Sequence, residues 1–306
     1  MERTFHDAVV TIDLPASALA IDLSNDGSRL AVAIAGAPSV CVYDTATGEQ
    51  VAALAGASSA KGVVFGRDGR SLYGLVEGSS NHAIELRRYT LDGGESAPLS
   101  VYPYGEAYAL VRNQAADLLA VLGHDVQVLH DDGETSPPSL VRIVPGLDPA
   151  HRVHAQFPAT GARVYCVGVA TDRFVRWDLQ RNCEDGTWPA PDSFGRLAIS
   201  RSGRYGIIAK HGLEGVFALD TETGERFMPE IFSERALNEH YAFAPGETGF
   251  VYEAGPYAGF RVWSTRSRIK GPRLPAGRIA DLRGAWAADV YAYVYGEPRL
   301  CIVRMT

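Results

Sequence analysis

Along most of this chain, apolar and polar positions alternate with a period of two. Arg29-Leu30-Ala31-Val32-Ala33-Ile34, Ser71-Leu72-Tyr73-Gly74-Leu75-Val76 and Arg163-Val164-Tyr165-Cys166-Val167 are clear examples. That period, with Val, Ile and Tyr at the apolar positions, predicts strands rather than helices. The runs are short. Each follows a polar reversal such as Asn25-Asp26-Gly27, Asp68-Gly69 or Ser202-Gly203, where glycine supplies the positive φ of a tight turn. One longer connection, Ile231–Glu239, has room for a short helix.

The alternation is itself repeated. Leu19–Gly48 and Leu197–Gly224 are the clearest copies, each a strand, a turn, a second strand, a loop and a third strand closing on Asp. Aligned on Gly27, the copies are anchored at Gly69, Ala116, Gly161, Gly203, Glu247 and Ala287, with spacings of 40 to 47 residues. Four-stranded propeller blades recur at about 40–45 residues. The third strands are predicted at Ser39–Asp44, Ile84–Tyr89, Asp125–Leu129, Phe174–Asp178, Gly215–Asp220, Phe260–Trp263 and Arg299–Val303. The last copy ends before a fourth strand, while a spare strand, Ala8–Leu14, precedes the first copy. Pairing the two ends would close a ring and leave no unpaired junction. The expectation is an all-β fold, a seven-bladed β-propeller whose N-terminal strand completes the last blade. It is one domain over residues 1–306, with 1–14 as the closing strand and blades near 15–56, 57–101, 102–145, 146–190, 191–229, 230–275 and 276–306.

The phrase Asp26-Gly27-Ser28-Arg29-Leu30-Ala31-Val32-Ala33, followed by Val42-Tyr43-Asp44-Thr45-Ala46-Thr47-Gly48-Glu49, resembles bacterial WD40/YVTN-type β-propeller repeats. The resemblance covers essentially the whole chain. A single Trp-Asp pair, Trp177-Asp178, closes a third strand, and no copy opens on the Gly-His pair of typical WD40 repeats, which favours the YVTN-like end of the superfamily. It implies a ring that presents a loop face to a protein or peptide. Related rings also include lactone hydrolases and carbon–oxygen lyases, so a small-molecule enzyme of lyase, cyclase or lactone-hydrolase type is the alternative. Fold alone does not choose between them.

Charge and composition narrow the partners. A net charge of −7 argues against nucleic-acid binding, which needs clustered Lys and Arg. No apolar run is long enough to span a membrane, and Met1–Asp7 lacks the apolar stretch of a signal peptide, so a cytoplasmic location is expected. Cys41, Cys166, Cys183 and Cys301 have no metal-ligand spacing and are expected as free thiols. No nucleophile elbow, phosphate loop, zinc motif or dinucleotide fingerprint occurs, and no cofactor is expected.

Chain direction separates two faces. Turns between first and second strands, and between third and fourth, share one face, and their Asp and Ser residues serve reversal. The opposite face holds the irregular loops, where function is expected to sit. Its candidate ligand-binding residues are Lys61, Tyr108, His124, His151, Asp172, His211, Glu214 and Tyr257. On the innermost strand, seven positions before each anchor, the copies read Ala20, Gly62, Ala109, His154, Arg196, His240 and Ala280. Small residues give way to His, Arg and His on three consecutive blades, with Glu239 and Asp281 alongside. Three readings stay open. Arg196 between two imidazoles would grip a small anion; His154 and His240 with Glu239 or Asp281 would bind a divalent metal; or the group is a hydrated structural plug. In an enzyme, an imidazole of His154 or His240 would be the acid or base, Arg196 the substrate clamp, and Glu239 or Asp281 the orienting carboxylate.

Overall fold

The computed structural model describes residues 10–36, 38–54, 59–78, 83–92, 94, 98–103, 105–115, 117–133, 137–147, 152–168, 171–190, 194–210, 216–227, 241–244, 247, 249–253, 260–264, 270–273, 279–285, 287–288, 290–295 and 298–304. The strands number 28 among them. After β1 (Val10–Asp13), the first blade is β2 (Ala18–Leu23), β3 (Arg29–Ile34), β4 (Val40–Asp44) and β5 (Gln50–Leu54). The second is β6 (Ala60–Phe65), β7 (Ser71–Glu77), β8 (Ala83–Thr90) and β9 (Ser100–Pro103). The third is β10 (Ala109–Arg112), β11 (Leu118–Leu122), β12 (Val126–His130) and β13 (Ser139–Val144). The fourth is β14 (Val153–Gln156), β15 (Arg163–Gly168), β16 (Arg173–Asp178) and β17 (Cys183–Pro189). The fifth is β18 (Phe194–Ile199), β19 (Tyr205–Lys210), β20 (Val216–Asp220) and β21 (Arg226–Phe227). The sixth is β22 (Tyr241–Phe243), β23 (Gly249–Glu253), β24 (Phe260–Ser264) and β25 (Lys270–Arg273). Then come β26 (Ile279–Gly284), β27 (Val290–Tyr295) and β28 (Arg299–Arg304).

Counted as blades made from one uninterrupted stretch of chain there are six, not seven. The remaining four-stranded sheet is composite, in the order β1-β28-β27-β26, and joins both ends of the described chain. Its β1 runs antiparallel to β28, from Val10 opposite Ile302 to Asp13 opposite Arg299. The first strands of all the sheets are neighbours in a closed cycle, β2, β6, β10, β14, β18, β22, β26 and back to β2. The closing strand is also held by the first blade. Gly48, at φ +78°, sits so close that a Cβ there would lie 2.7 Å from Val10 Cγ1.

The repeated phrase is explained by its hydrogen bonds. Asp44 Oδ1 accepts the Ala46 and Thr47 amides at 2.8 and 2.9 Å, and Asp220 Oδ1 accepts those of Glu222 and Thr223 at 2.9 and 3.2 Å. Asp178 does the same for Gln180 and Arg181. These bonds hold the Asp44 and Asp178 carboxyls below the ordinary range, because amide donors favour the charged form. The following threonine ties one turn to the next: Thr45 Oγ1 donates to Gly27 O, and Thr221 Oγ1 to Gly203 O. The conspicuous polar residues of this face are therefore turn chemistry.

The core lies between sheets. Ile21, Leu23, Val32 and Cys41 of the first blade pack on Val290, Ala292, Val294 and Leu300 of the composite sheet. Phe157, Val164 and Cys166 pack on Val111, Ala120, Leu122 and Val128 across the third and fourth blades, with half-buried Trp177 against them. Each fully buried large side chain of this kind contributes roughly 1.5–3 kcal/mol. All four cysteines are free thiols. Complete burial pushes the Cys166 thiol up to about 12.

Candidate functional site: the central channel

The first strands enclose a cavity of about 550 Å³. It is lined by residues of β2, β6, β10, β14, β18, β22 and β26. Alternation along each strand sends every second residue inward. Ala20 lies opposite Ala33, Gly62 opposite Leu75, Ala109 opposite Leu122, His154 opposite Val167 and Arg196 opposite Ala209. In the composite sheet the residue at this register is Asp281, opposite Val294. The assignment of Ala280 to that level is thereby corrected. Ala280 is the bulged residue skipped between Ile279 and Asp281, as Leu19 and Lys61 are skipped in β2 and β6. The last turn, between Ala285 and Val290, has no glycine to mark its reversal, so the sequence anchor slips by one.

At the loop-face end three expected residues, Lys61, Tyr108 and His154, line the cavity. The Tyr108 ring lies edge-on to the His154 imidazole with centroids 6.0 Å apart, and the Tyr108 hydroxyl donates to Val153 O. Lys61, half-buried, has its Nζ 3.5 Å from Glu77 Oε1. Arg152, just before β14, completes the group. Its guanidinium lies 4.9 Å over the Tyr108 ring, is exposed, and makes no hydrogen bond among the described residues. Such stacking holds the planar fork while leaving its donors available.

The opposite end is built differently. Arg112 is 5% exposed. Its Nε donates to Asp22 Oδ2 at 2.8 Å, Nη1 to Asn25 Oδ1 at 2.7 Å and Nη2 to Leu23 O at 2.8 Å. Asp22 also accepts the Phe65 amide at 2.9 Å, and Asn25 Nδ2 donates to Gln114 O. The clasp spans three consecutive blades, and Arg112 reaches past the second to the first. Arg283 Nε donates to Ile21 O at 3.3 Å, so the composite sheet is fastened to the first blade at the same level.

Among the described lining residues, the charged side chains are Lys61, Arg112, Arg152, Arg201 and Arg283 against Asp22. That balance opposes the net charge of −7 carried by the whole chain. Other expected residues lie elsewhere. His124 and Asp172 are exposed loop residues and do not line the cavity. Arg196 and Asp281 are placed by their backbone register, and their side chains are outside the described set. His151, His211, Glu214, Glu239, His240 and Tyr257 lie outside the described residues. So does much of the divalent-metal expectation; among the described residues no three His, Cys, Asp or Glu side chains converge. Sequence reasoning missed Asp22, Gln156 and Arg283. Each stands two residues beyond the mouth register, so the same period of two points it inward.

No protein-family model and no curated protein matches this chain. Among solved structures it is similar to the β-propeller domain of Cps50 (Swd1) from Myceliophteria thermophila, with a TM-score of 0.73, 14% identity and 100% of each chain covered. That likeness is one of fold. It supports the fold-level resemblance to WD40-type propellers.

Proposed function

We propose that this protein is a binding propeller whose loop face takes an acidic segment of a partner protein at the channel mouth. The observation that carries the reading is Arg152. Its guanidinium is exposed, stacked on Tyr108 and unspent in hydrogen bonds among the described residues. A carboxylate would accept two parallel bonds from it, the strongest common pairing of charged side chains. Lys61 and His154 stand on the same rim. An interface of this kind is steered by charge and weakens with salt.

The test is fluorescence anisotropy with a labelled Glu-rich peptide, titrated in low and high salt. Binding that weakens with salt and drops about tenfold, or about 1.4 kcal/mol, in Arg152→Ala is expected. Equal binding by Arg152→Ala, or no binding of any acidic probe, would exclude the reading.

A second reading, a side-chain enzyme acting on a carboxylate-bearing lactone or similar small molecule, draws on the register of Asp281. It sets an acid on the same ring level as His154 and Arg196. Acid release from a panel of such lactones, abolished in His154→Ala, would support it. Turnover equal in that variant would remove it.

A further inference from the structure

Of the five described lining cations, Arg112 is spent in the clasp and Arg201 lies in the turn beyond β18, and the other three fall on two levels. Lys61 and Arg152 stand at the loop-face end, at or before the start of their strands. Arg283 is the fifth residue of β26, and its register opposite Ala292 matches that of Val64 opposite Tyr73 in β6. Val64 is three residues beyond Lys61. At roughly 3.3 Å per strand residue, the two levels are about 10 Å apart. Between them, one side of the channel, on three consecutive blades, presents Ala20, Gly62 and Ala109, while His154, Arg196 and Asp281 hold the same backbone register on the other side. The acid at the lower level, Asp22, is bonded to Arg112 and to the Phe65 amide. Arg283 is fixed against β2 by its bond to Ile21 O.

We infer that the channel holds a slender, linear dianion, with one acid group at the level of Lys61 and Arg152 and the second at Arg283. The inference rests on the anion-binding reading of the mouth and adds the ligand's length and second charge. The small-residue wall between the levels suits an uncharged, narrow spacer such as methylene groups or an extended peptide backbone. A cavity of about 550 Å³ is of the size that takes small molecules or a single extended strand, within the usual range of roughly 300–1,000 Å³. The same pair of acid groups can come from a free dicarboxylate or from two acidic side chains of one peptide.

Calorimetric titration of the unmodified protein with succinate, adipate, suberate and sebacate, against octanoate, tests this without any variant. Affinity is expected to peak at suberate or sebacate, about tenfold above octanoate, because the second contact becomes intramolecular. Two tetrapeptides, Glu-Ala-Ala-Glu and Glu-Glu-Ala-Ala, ask the same question of a peptide source. Preference for the first assigns the site to an acidic segment; a length optimum among the diacids alone assigns it to a free dicarboxylate. In Arg283→Gln, the suberate-to-octanoate ratio should fall to near one, with Arg283→Lys recovering part of it and thermal melts reporting the fold of each. Octanoate and every diacid binding alike would overturn the dianion while leaving the mouth reading intact. Binding by none of these anions would overturn both.

Discussion

Arg112 and Arg152 stand at opposite ends of one channel, on neighbouring blades, and do opposite things. Arg112 is buried and bonds Asp22, Asn25 and Leu23 O. Arg152 is exposed and rests on a tyrosine face. The residue type is the same; the difference lies in how many of the five guanidinium donors are consumed by the described residues. Where the donors are consumed, arginine is a fastener between blades. Where an aromatic ring positions the fork without using its donors, arginine keeps them for the receptor role proposed above.

The sharpest way to break this comparison is at the clasp. Arg112→Met should cost about 3 kcal/mol, because it leaves the Asp22 carboxylate partly buried without its counter-charge. Urea denaturation measures it, and a loss below about 1 kcal/mol would show that the clasp does not hold the blades. Adding Asp22→Leu should return part of that loss, since no orphaned charge remains. The Tyr108 support comes next. Tyr108→Ala should cost about 1–2 kcal/mol, less than a fully buried aromatic because the ring is half-buried, and should weaken acidic-peptide binding, whereas Tyr108→Phe keeps the stacking face and the affinity.

Acid should weaken the turn face. The Asp26, Asp44 and Asp178 carboxyls are lowered chiefly by backbone amide donors, so their folded pKa lies below the unfolded one. Their contribution is fully present above the unfolded carboxylate range near 4 and is lost as pH falls through the folded values. Urea midpoints should therefore be insensitive to these groups between about pH 5 and 7 and fall below about pH 4, more shallowly in Asp178→Asn. The smallest effect on stability belongs to Arg152→Ala, expected within about 0.5 kcal/mol of the parent in a thermal melt. A larger loss would make Arg152 a fastener too and erase the contrast with Arg112.

The turn face was the most legible part of the chain. In Asp220-Thr221-Glu222-Thr223-Gly224 each residue acts within a few positions of itself or on the adjoining turn, so repetition in sequence reports repetition in bonding. The third strands were legible for the same reason; Val40–Asp44 and Arg173–Asp178 start within a residue of expectation. At the mouth, the positions of Lys61, Tyr108 and His154 on the cavity wall were legible because they stand at or beside a repeated register. The Ala280 slip came from a turn without its glycine. Arg112 was hidden because its column is otherwise apolar — Leu23, Phe65, Phe157, Ile199 and Phe243 stand at equivalent places — and an arginine there gives no hint of where it reaches.

What the amino-acid order settled by itself was local: period-two strands, reversals carried by Asp and Gly, and a repeat whose ends pair. What only the folded ring decided is which charges meet. Asp22 and Arg112 are separated by 90 residues and a whole blade, and their 2.8 Å bond exists because closure brings first strands together around one axis. Short-range hydrogen bonds are written in neighbouring letters. A channel is written in the register of strands that are distant in sequence, and a single bulged residue shifts which side chain enters it.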